Sequence, residues 1–136
     1  MEYVATLTRE KRNWLVDFPD CPGCQTFGGT RAEAGEMARD ALEGWLEAHL
    51  VGGEAPPRPK RRRGVVVLVR SRLSVAIQIR WLREDLGLTQ AQLATRVGVS
   101  QQQVAKLENP DANPTLATLD AVAKAAGAVL DVRLVA

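Results

Sequence analysis

The chain predicts an α+β protein. A small N-terminal sheet of three or four strands, covered by one helix, precedes an all-α helix-turn-helix domain that ends in a C-terminal strand. Three observations carry this expectation. Strand-like stretches crowd the first 28 residues, and a long helical stripe follows them. Two copies of one helix-start design stand a turn apart between Leu88 and Asn109. Charge divides the same way: residues 1–57 carry a net −5 and residues 58–136 a net +7. An acidic half joined to a basic half points to two small domains with partners of opposite sign.

The elements follow in order. Tyr3–Arg9 (YVATLTR) alternates as a half-buried strand does, Glu10–Asn13 is a polar turn, and Trp14–Phe18 (WLVDF) is a second strand. Pro19, Cys21, Pro22 and Gly23 break the pattern, and Cys24–Gly28 is a short third strand. Thr30 caps a helix, with Glu33 in the capping-box position. Ala34, Met37, Ala38, Ala41, Leu42, Trp45 and Ala48 give that helix a wide apolar stripe, expected to cover one face of the sheet. Gly52–Gly53 ends it. The first domain is therefore expected over residues 1–57. Residues 58–70 hold a basic linker kept extended by its prolines, then an apolar run, Gly64–Val69, of strand length. That run is either a fourth strand of the first domain or one that pairs with another chain.

Residues 71–136 form the second domain. Leu73, Ile77, Trp81, Leu82 and Leu86 mark a leading helix. Thr89 then caps a helix with Gln92 reaching back, and Ser100 caps the next with Gln103 doing the same. Leu88/Leu93 and Val99/Val104 stand at the hydrophobic-staple positions, and Gly98 supplies the positive φ where the first of the two helices ends. Thr115 caps one more helix, which Gly127 closes. Val129–Val135 alternates around Asp131 and Arg133 as a strand would; a lone strand needs a partner, so a homodimer or dimer of dimers is expected.

What the second capped helix shows to solvent decides the chemistry. Gln101 and Gln102 fill its first turn and Lys106 the next. A glutamine amide matches the adenine edge in the major groove, and a lysine meets guanine or phosphate. Thr89 and Gln90, beside free helix N–H groups, suit a phosphate oxygen. Together with Ser100 these form the candidate DNA-binding set.

LTQAQLA, the GVS turn and VAKLEN together resemble the DNA-binding domain of the Xre and lambda-repressor-like family, from about Ile79 to Gly127. The resemblance implies that Gln90 holds phosphate while Gln101, Gln102 and Lys106 face the bases. The first half is similar to the HicB antitoxin family over about Met1–Pro59. Phe18, Pro19, Asp20, Pro22, Gly23, Cys24, Gly28, Thr30, Glu33, Ala34 and Trp45 carry that likeness. It implies a partial RNase H fold, a small basic HicA-type toxin that cleaves mRNA as partner, and repression of the protein's own operon. Cys21 stands where the family more often has an apolar residue, and the first turn (REKRN) is short and basic. The toxin contact zone is expected at Phe18–Cys24 beside the sheet, with Trp14, Phe18, Asp20, Pro22, Gly23 and Cys24 as its candidates.

Other chemistry is weighed and set aside. Cys21-Pro-Gly-Cys24 has the spacing of half a zinc site, but the single histidine, His49, follows a whole helix later. No metal and no cofactor is expected. A nuclease would need several carboxylates converging on Mg²⁺, whereas the strands of the first half hold only Asp17. Catalytic residues are expected to be none. The basic run Lys60–Arg63, with Arg58, reads as a solvated linker or a secondary phosphate contact. No apolar run reaches the ~18 residues of a membrane span and no signal-peptide core follows Met1, so a cytoplasmic protein is expected. The expected function is thus an antitoxin that neutralises a toxin and represses its operon by binding double-stranded DNA. The alternatives are a stand-alone regulator whose N-terminal domain senses a small ligand, and an adaptor that does not bind DNA.

Overall fold

A computed structural model describes all of residues 1–136, which fall into two units, Met1–Ser74 and Val75–Ala136. In the first, β1 (Glu2–Glu10), β2 (Asn13–Asp17) and β3 (Gln25–Gly28) form an antiparallel meander. The helix α1 (Arg31–Val51) then crosses over to β4 (Val65–Leu68), which pairs antiparallel with β1. The sheet order is β3-β2-β1-β4. The Gly64–Val69 run is therefore a fourth strand of the first unit, and it draws residues 58–70 into a unit that extends to Ser74 rather than ending at 57. Ala5 opposite Val65 and Tyr3 opposite Val67 set the register. Odd-numbered β1 residues thus share a face with Val16 and Val67, and Tyr3, Ala5, Val16 and Val67 are buried.

α1 closes that face. Its buried residues are Ala34, Ala38, Leu42, Leu46 and Leu50, a single line at four-residue spacing. Met37 and Ala48, expected inside, are exposed, and Trp45 is half-buried with its ring 3.8 Å from that of His49. The wide stripe is narrowed because only the ridge pointing at the flat sheet finds cover. Each leucine on that ridge stabilises by roughly 1.5–3 kcal/mol. The ridge can lie close because Gly28 has no side chain: a Cβ there would stand 2.4 Å from the Ala34 nitrogen. Thr30 caps the helix by accepting from the Glu33 amide, while the Glu33 carboxylate accepts from Gly29 rather than from the cap residue itself.

The second unit is helical: α2 (Ser71–Asp85), whose residues from Val75 onward belong to it, α3 (Gln90–Val97), α4 (Gln101–Leu107) and α5 (Leu116–Ala125). Ile79, Leu93, Ala94, Val104, Leu107, Leu119 and Val122 form its core, with both staple pairs and Leu130 packed around it. The expected C-terminal strand does not form. Residues 129–136 hold no strand and make no backbone hydrogen bond, and Val129, Val132, Leu134 and Val135 are exposed. The second unit offers only helices, and a strand without a neighbour has no ladder to join.

Candidate nucleic-acid interface and the loop beside the sheet

α3 and α4 are eight and seven residues long, too short to hold themselves together in water. Their ends are therefore built with care. Thr89 Oγ1 accepts from the Gln92 amide (3.1 Å) and Gln92 Oε1 accepts from the Thr89 amide (2.9 Å). Ser100 and Gln103 repeat the arrangement at 3.2 and 2.9 Å. Gly98, at φ 85°, turns the chain between them, and the amides of Gly98 and Val99 both donate to the Ala94 carbonyl. Each cap is worth about 1 kcal/mol. Together they fix the angle at which α4 leaves the turn.

Val104 and Leu107 bury one side of α4, so the opposite side faces water. Gln101, Gln102 and Lys106 are exposed, with Gln102 and Lys106 one turn apart on the same strip. Thr89 and Ser100 are exposed at the two caps, and Gln90 is half-buried in the first turn of α3. The cap geometry shows how labour divides. Gln103 is occupied by Ser100, whereas the side chains of Gln101, Gln102 and Lys106 have no hydrogen-bond partner in the chain. The donors and acceptors that match base edges are thus the ones left open.

A buried ion pair anchors the end of α4, and the sequence did not announce it. Glu108, the C-cap residue, is 6% exposed and takes a bidentate fork from Arg83 of α2, at 2.7 and 2.9 Å. Arg83 also donates to the Leu88 carbonyl (2.9 Å), and Arg80 stands 3.8 Å from the same carboxylate. The hydrogen bond to Glu108 raises the Arg83 pKa above its ordinary value against the opposing effect of burial. The only local sign of this pair was an acid directly after the buried Leu107, twenty-five residues from its partner.

In the first unit the candidate toxin-contact residues do not share one surface. Phe18 and Cys24 are buried, with the amide of Phe18 donating to the Cys24 carbonyl (3.3 Å). Pro22 and Gly23 are exposed at the loop tip. Trp14 is half-buried, flanked by the guanidinium groups of Arg9 (5.9 Å) and Arg31 (5.5 Å). Asp20 is buried and engaged: the Lys60 amide donates to one oxygen at 2.9 Å and Arg62 pairs with the other at 2.8 Å. Burial pushes its carboxyl up, but the Arg62 and Lys60 hydrogen bonds outweigh that and hold it below the ordinary range. The linker is thereby clasped to the loop, aided by the Tyr3 hydroxyl, which donates to the Pro57 carbonyl at 2.6 Å. Arg62 is thus not a free phosphate contact.

Cys21 and Cys24 are free thiols inside this loop, and burial pushes them up to about 12 and about 11 respectively. The groove along α1, of about 490 Å³, is lined by Ala32, Gly35, Glu36, Arg39, Asp40 and Arg70. It is charged, unlike the large apolar pocket that small-ligand sensing asks for. No helix is long and apolar enough to cross a membrane.

Comparison with known proteins follows the same division. Residues 3–66 match the family described as HicB_like antitoxin of bacterial toxin–antitoxin systems, and residues 79–129 match a helix-turn-helix family. Antitoxin HicB 1 of Photorhabdus laumondii is 38% identical over 130 residues, covering 93% of this chain and 83% of the relative. Antitoxin HicB of Escherichia coli K12 is 32% identical over 138 residues, covering 99% of this chain and all of the relative. The immunity repressor protein of Bacillus phage phi105 is 40% identical over 55 residues, 40% of this chain and 38% of that one. The seven cations of 58–74 fold into the first unit, so Met1–Ser74 carries a net +2 and the charge division expected from the sequence does not follow the units. With a sheet-and-helix unit followed by a capped pair of short helices, and with near-full-length relatives of that name, the chain belongs to the HicB antitoxin family and carries a helix-turn-helix DNA-binding domain.

Proposed function

We propose that this chain neutralises a small basic HicA-type toxin through its first unit and represses its own operon through its second, without catalysing a reaction itself. The observation that carries the DNA-binding half is the exposed strip of Gln101, Gln102 and Lys106 on a helix whose both ends are fixed. In this reading the glutamine amides meet base edges in the major groove, Lys106 meets guanine or phosphate, and Thr89, Gln90 and Ser100 line the phosphate backbone. Repressors of this kind read two half-sites as dimers, about 34–36 Å apart, so a dimer or dimer of dimers is the acting species.

For the toxin half, the solvent-facing members of the predicted zone, Trp14, Pro22 and Gly23, make the contact. Phe18, Asp20 and Cys24 shape the loop from within. The two acids flanking the loop are engaged within the chain: Asp17 accepts from Gln25 (3.1 Å) and Asp20 is neutralised by Arg62. A cytoplasmic location follows from an mRNA-cleaving partner and a DNA target. Linking the two jobs on one chain lets the toxin:antitoxin ratio tune operator affinity.

The test is to express the chain, tagged, from its native genomic segment and identify what elutes with it. A small basic protein at fixed stoichiometry, toxic when expressed alone, is the expected result; a chain that elutes alone would sink the antitoxin half. For the DNA half, Gln101→Ala with Gln102→Ala should weaken operator binding on the order of 10- to 100-fold in gel shifts, with the fold intact. Unchanged binding would remove α4 from the interface.

A further inference from the structure

The loop between β2 and β3 holds the chain's two cysteines, Cys21 and Cys24, and nothing proposed above uses either as a thiol. They close a tight turn, in which the Cys24 amide donates to the Cys21 carbonyl at 2.9 Å. Pro22 fixes its own φ near about −65° and Gly23 stands at φ 86°, the two corners of a type II turn. The end Cα atoms of such a turn lie less than ~7 Å apart, which overlaps the ~4.4–6.8 Å that a disulfide spans. Both side chains turn inward, at 0% and 3% exposure, while Pro22 and Gly23 face water. The two sulfurs are therefore neighbours: burial, then the nearness of Cys24 and Asp20, pushes the Cys21 thiol up.

The turn is also held from outside. The Cys21 amide donates to the Phe18 carbonyl at 2.9 Å, and the Lys60 amide and Arg62 hold the carboxylate of Asp20. A bond between the sulfurs would thus join ends that are already in place. No third His, Cys, Asp or Glu stands with them in an arrangement that could hold a metal. Cys21 packs as a small apolar residue does. What it adds over one is a second sulfur within reach of the first.

We propose that Cys21 and Cys24 are a reversible dithiol–disulfide site, closed in place by exchange with a small-molecule disulfide. Cys24, the less deeply buried of the two, loses its proton and attacks one sulfur of the small disulfide, releasing one small thiol and leaving a mixed disulfide. Cys21 then loses its proton and attacks the Cys24 sulfur, and the second small thiol leaves. Two protein S–H bonds are lost, one S–S bond forms, and the small disulfide is reduced to two thiols. The first step is slow because the loop tip must open, and the second is fast because the attacking sulfur is already alongside. In a reducing compartment the pair rests as thiols and closes when disulfides accumulate. Pro22 and Gly23, between the two sulfurs, belong to the proposed toxin contact. Control of that contact rests on the toxin reading, whereas the bond itself does not.

The experiment uses the full chain, reduced and then equilibrated with mixtures of glutathione and glutathione disulfide, and reads the acid-quenched intact mass. Wild type should become a monomer lighter by two hydrogens, with no glutathione adduct building up, and should return fully on adding dithiothreitol. With two cysteines in the chain, that mass has one assignment. Cys21→Ser should instead accumulate the adduct at Cys24, having lost the thiol that resolves it. In concentrated urea, half-closure should need a mixture on the order of 10-fold more oxidising, because the folded turn no longer holds the ends together. A folded wild type that stops at the adduct, or stays reduced under mixtures that close it in urea, overturns the site. Equal closure in both states overturns the role given to the turn. Closure should also slow amide hydrogen exchange at Cys24 and Lys60 on the order of 10-fold, and unchanged exchange would overturn control of the tip. A chain that closes its disulfide yet captures no toxin keeps the site and loses the toxin reading, so the two failures are distinct.

Discussion

Glu108→Ala should collapse the helix-turn-helix unit without touching any residue of its outer face. The carboxylate is 4% exposed at the side chain and its partner Arg83 11%. Removing the acid leaves a largely buried guanidinium with the Leu88 carbonyl as its remaining hydrogen-bond partner and Glu84 as a remaining acid near it. Breaking a buried ion pair in this one-sided way costs about 3–5 kcal/mol. Because Arg83 keeps one hydrogen bond, the lower end, about 3 kcal/mol, is expected. A unit of some 62 residues, Val75–Ala136, has only about 3–9 kcal/mol to lose at the usual stability per residue. At roughly 4–8 °C per kcal/mol for a domain this size, the melting transition of this unit should fall by about 12–24 °C in differential scanning calorimetry of the full chain. Replacing both partners by apolar residues, Arg83→Met with Glu108→Leu, should recover much of the loss, since neither charge is then stranded. A shift below about 4 °C for Glu108→Ala would refute the reasoning, and so would a double variant worse than the single.

Three further outcomes are expected in the first unit. Gly28→Ala should destabilise it by about 1–3 kcal/mol or more, because the new Cβ meets the backbone of Ala34 at 2.4 Å; urea midpoints would show it, and a neutral effect would mean that the start of α1 yields freely. Asp20 has a folded pKa lowered from 3.8, so its clasp on Lys60 and Arg62 contributes above that pH and fades as pH falls through the folded value. Asp20→Asn should therefore be less stable than wild type by about 1.5–3 kcal/mol near neutrality, and the gap should close in acid denaturation below the ordinary carboxylate range; a gap independent of pH would contradict the ion pair. Cys21 and Cys24, raised to about 12 and about 11 and buried, should react slowly with a thiol reagent at pH 8 in the native protein and at once in denaturant. Rapid native labelling would show that the loop opens.

Features encoded within a few residues were legible in the sequence. Thr89 with Gln92 and Ser100 with Gln103 are both three residues apart, and the reciprocal bonds they imply are the ones the chain makes. The first sheet was legible for a similar reason, since alternation and Gly–Pro punctuation are local signals. The face of α1 was read less sharply: a 3.6-residue period marks a broad stripe, and only the flat sheet selects Leu46 and Leu50 over Met37 and Ala48. The two ion pairs were not legible. Nothing in Lys60–Arg63 distinguishes Arg62 from its neighbours until the fold brings Asp20 to it, 42 residues away. Glu108 and Arg83 are likewise joined only by the packing of α2 on the end of α4. The C-terminal alternation told what conformation those residues favour, but periodicity cannot supply the neighbour that a strand requires.

The twin caps also bear on how the proposed DNA-reading face can change. Ser100 and Gln103 are spent on each other, and Val104 and Leu107 on the core, so a change at any of these four alters whether the unit folds. Positions 101, 102, 105 and 106 are exposed and serve none of those duties. On the repressor reading proposed above, a lineage can therefore change its operator preference at exposed positions of α4 while the scaffold stays untouched. On that reading, duplicated copies in one genome can drift apart in the sites they bind without passing through an unfolded intermediate.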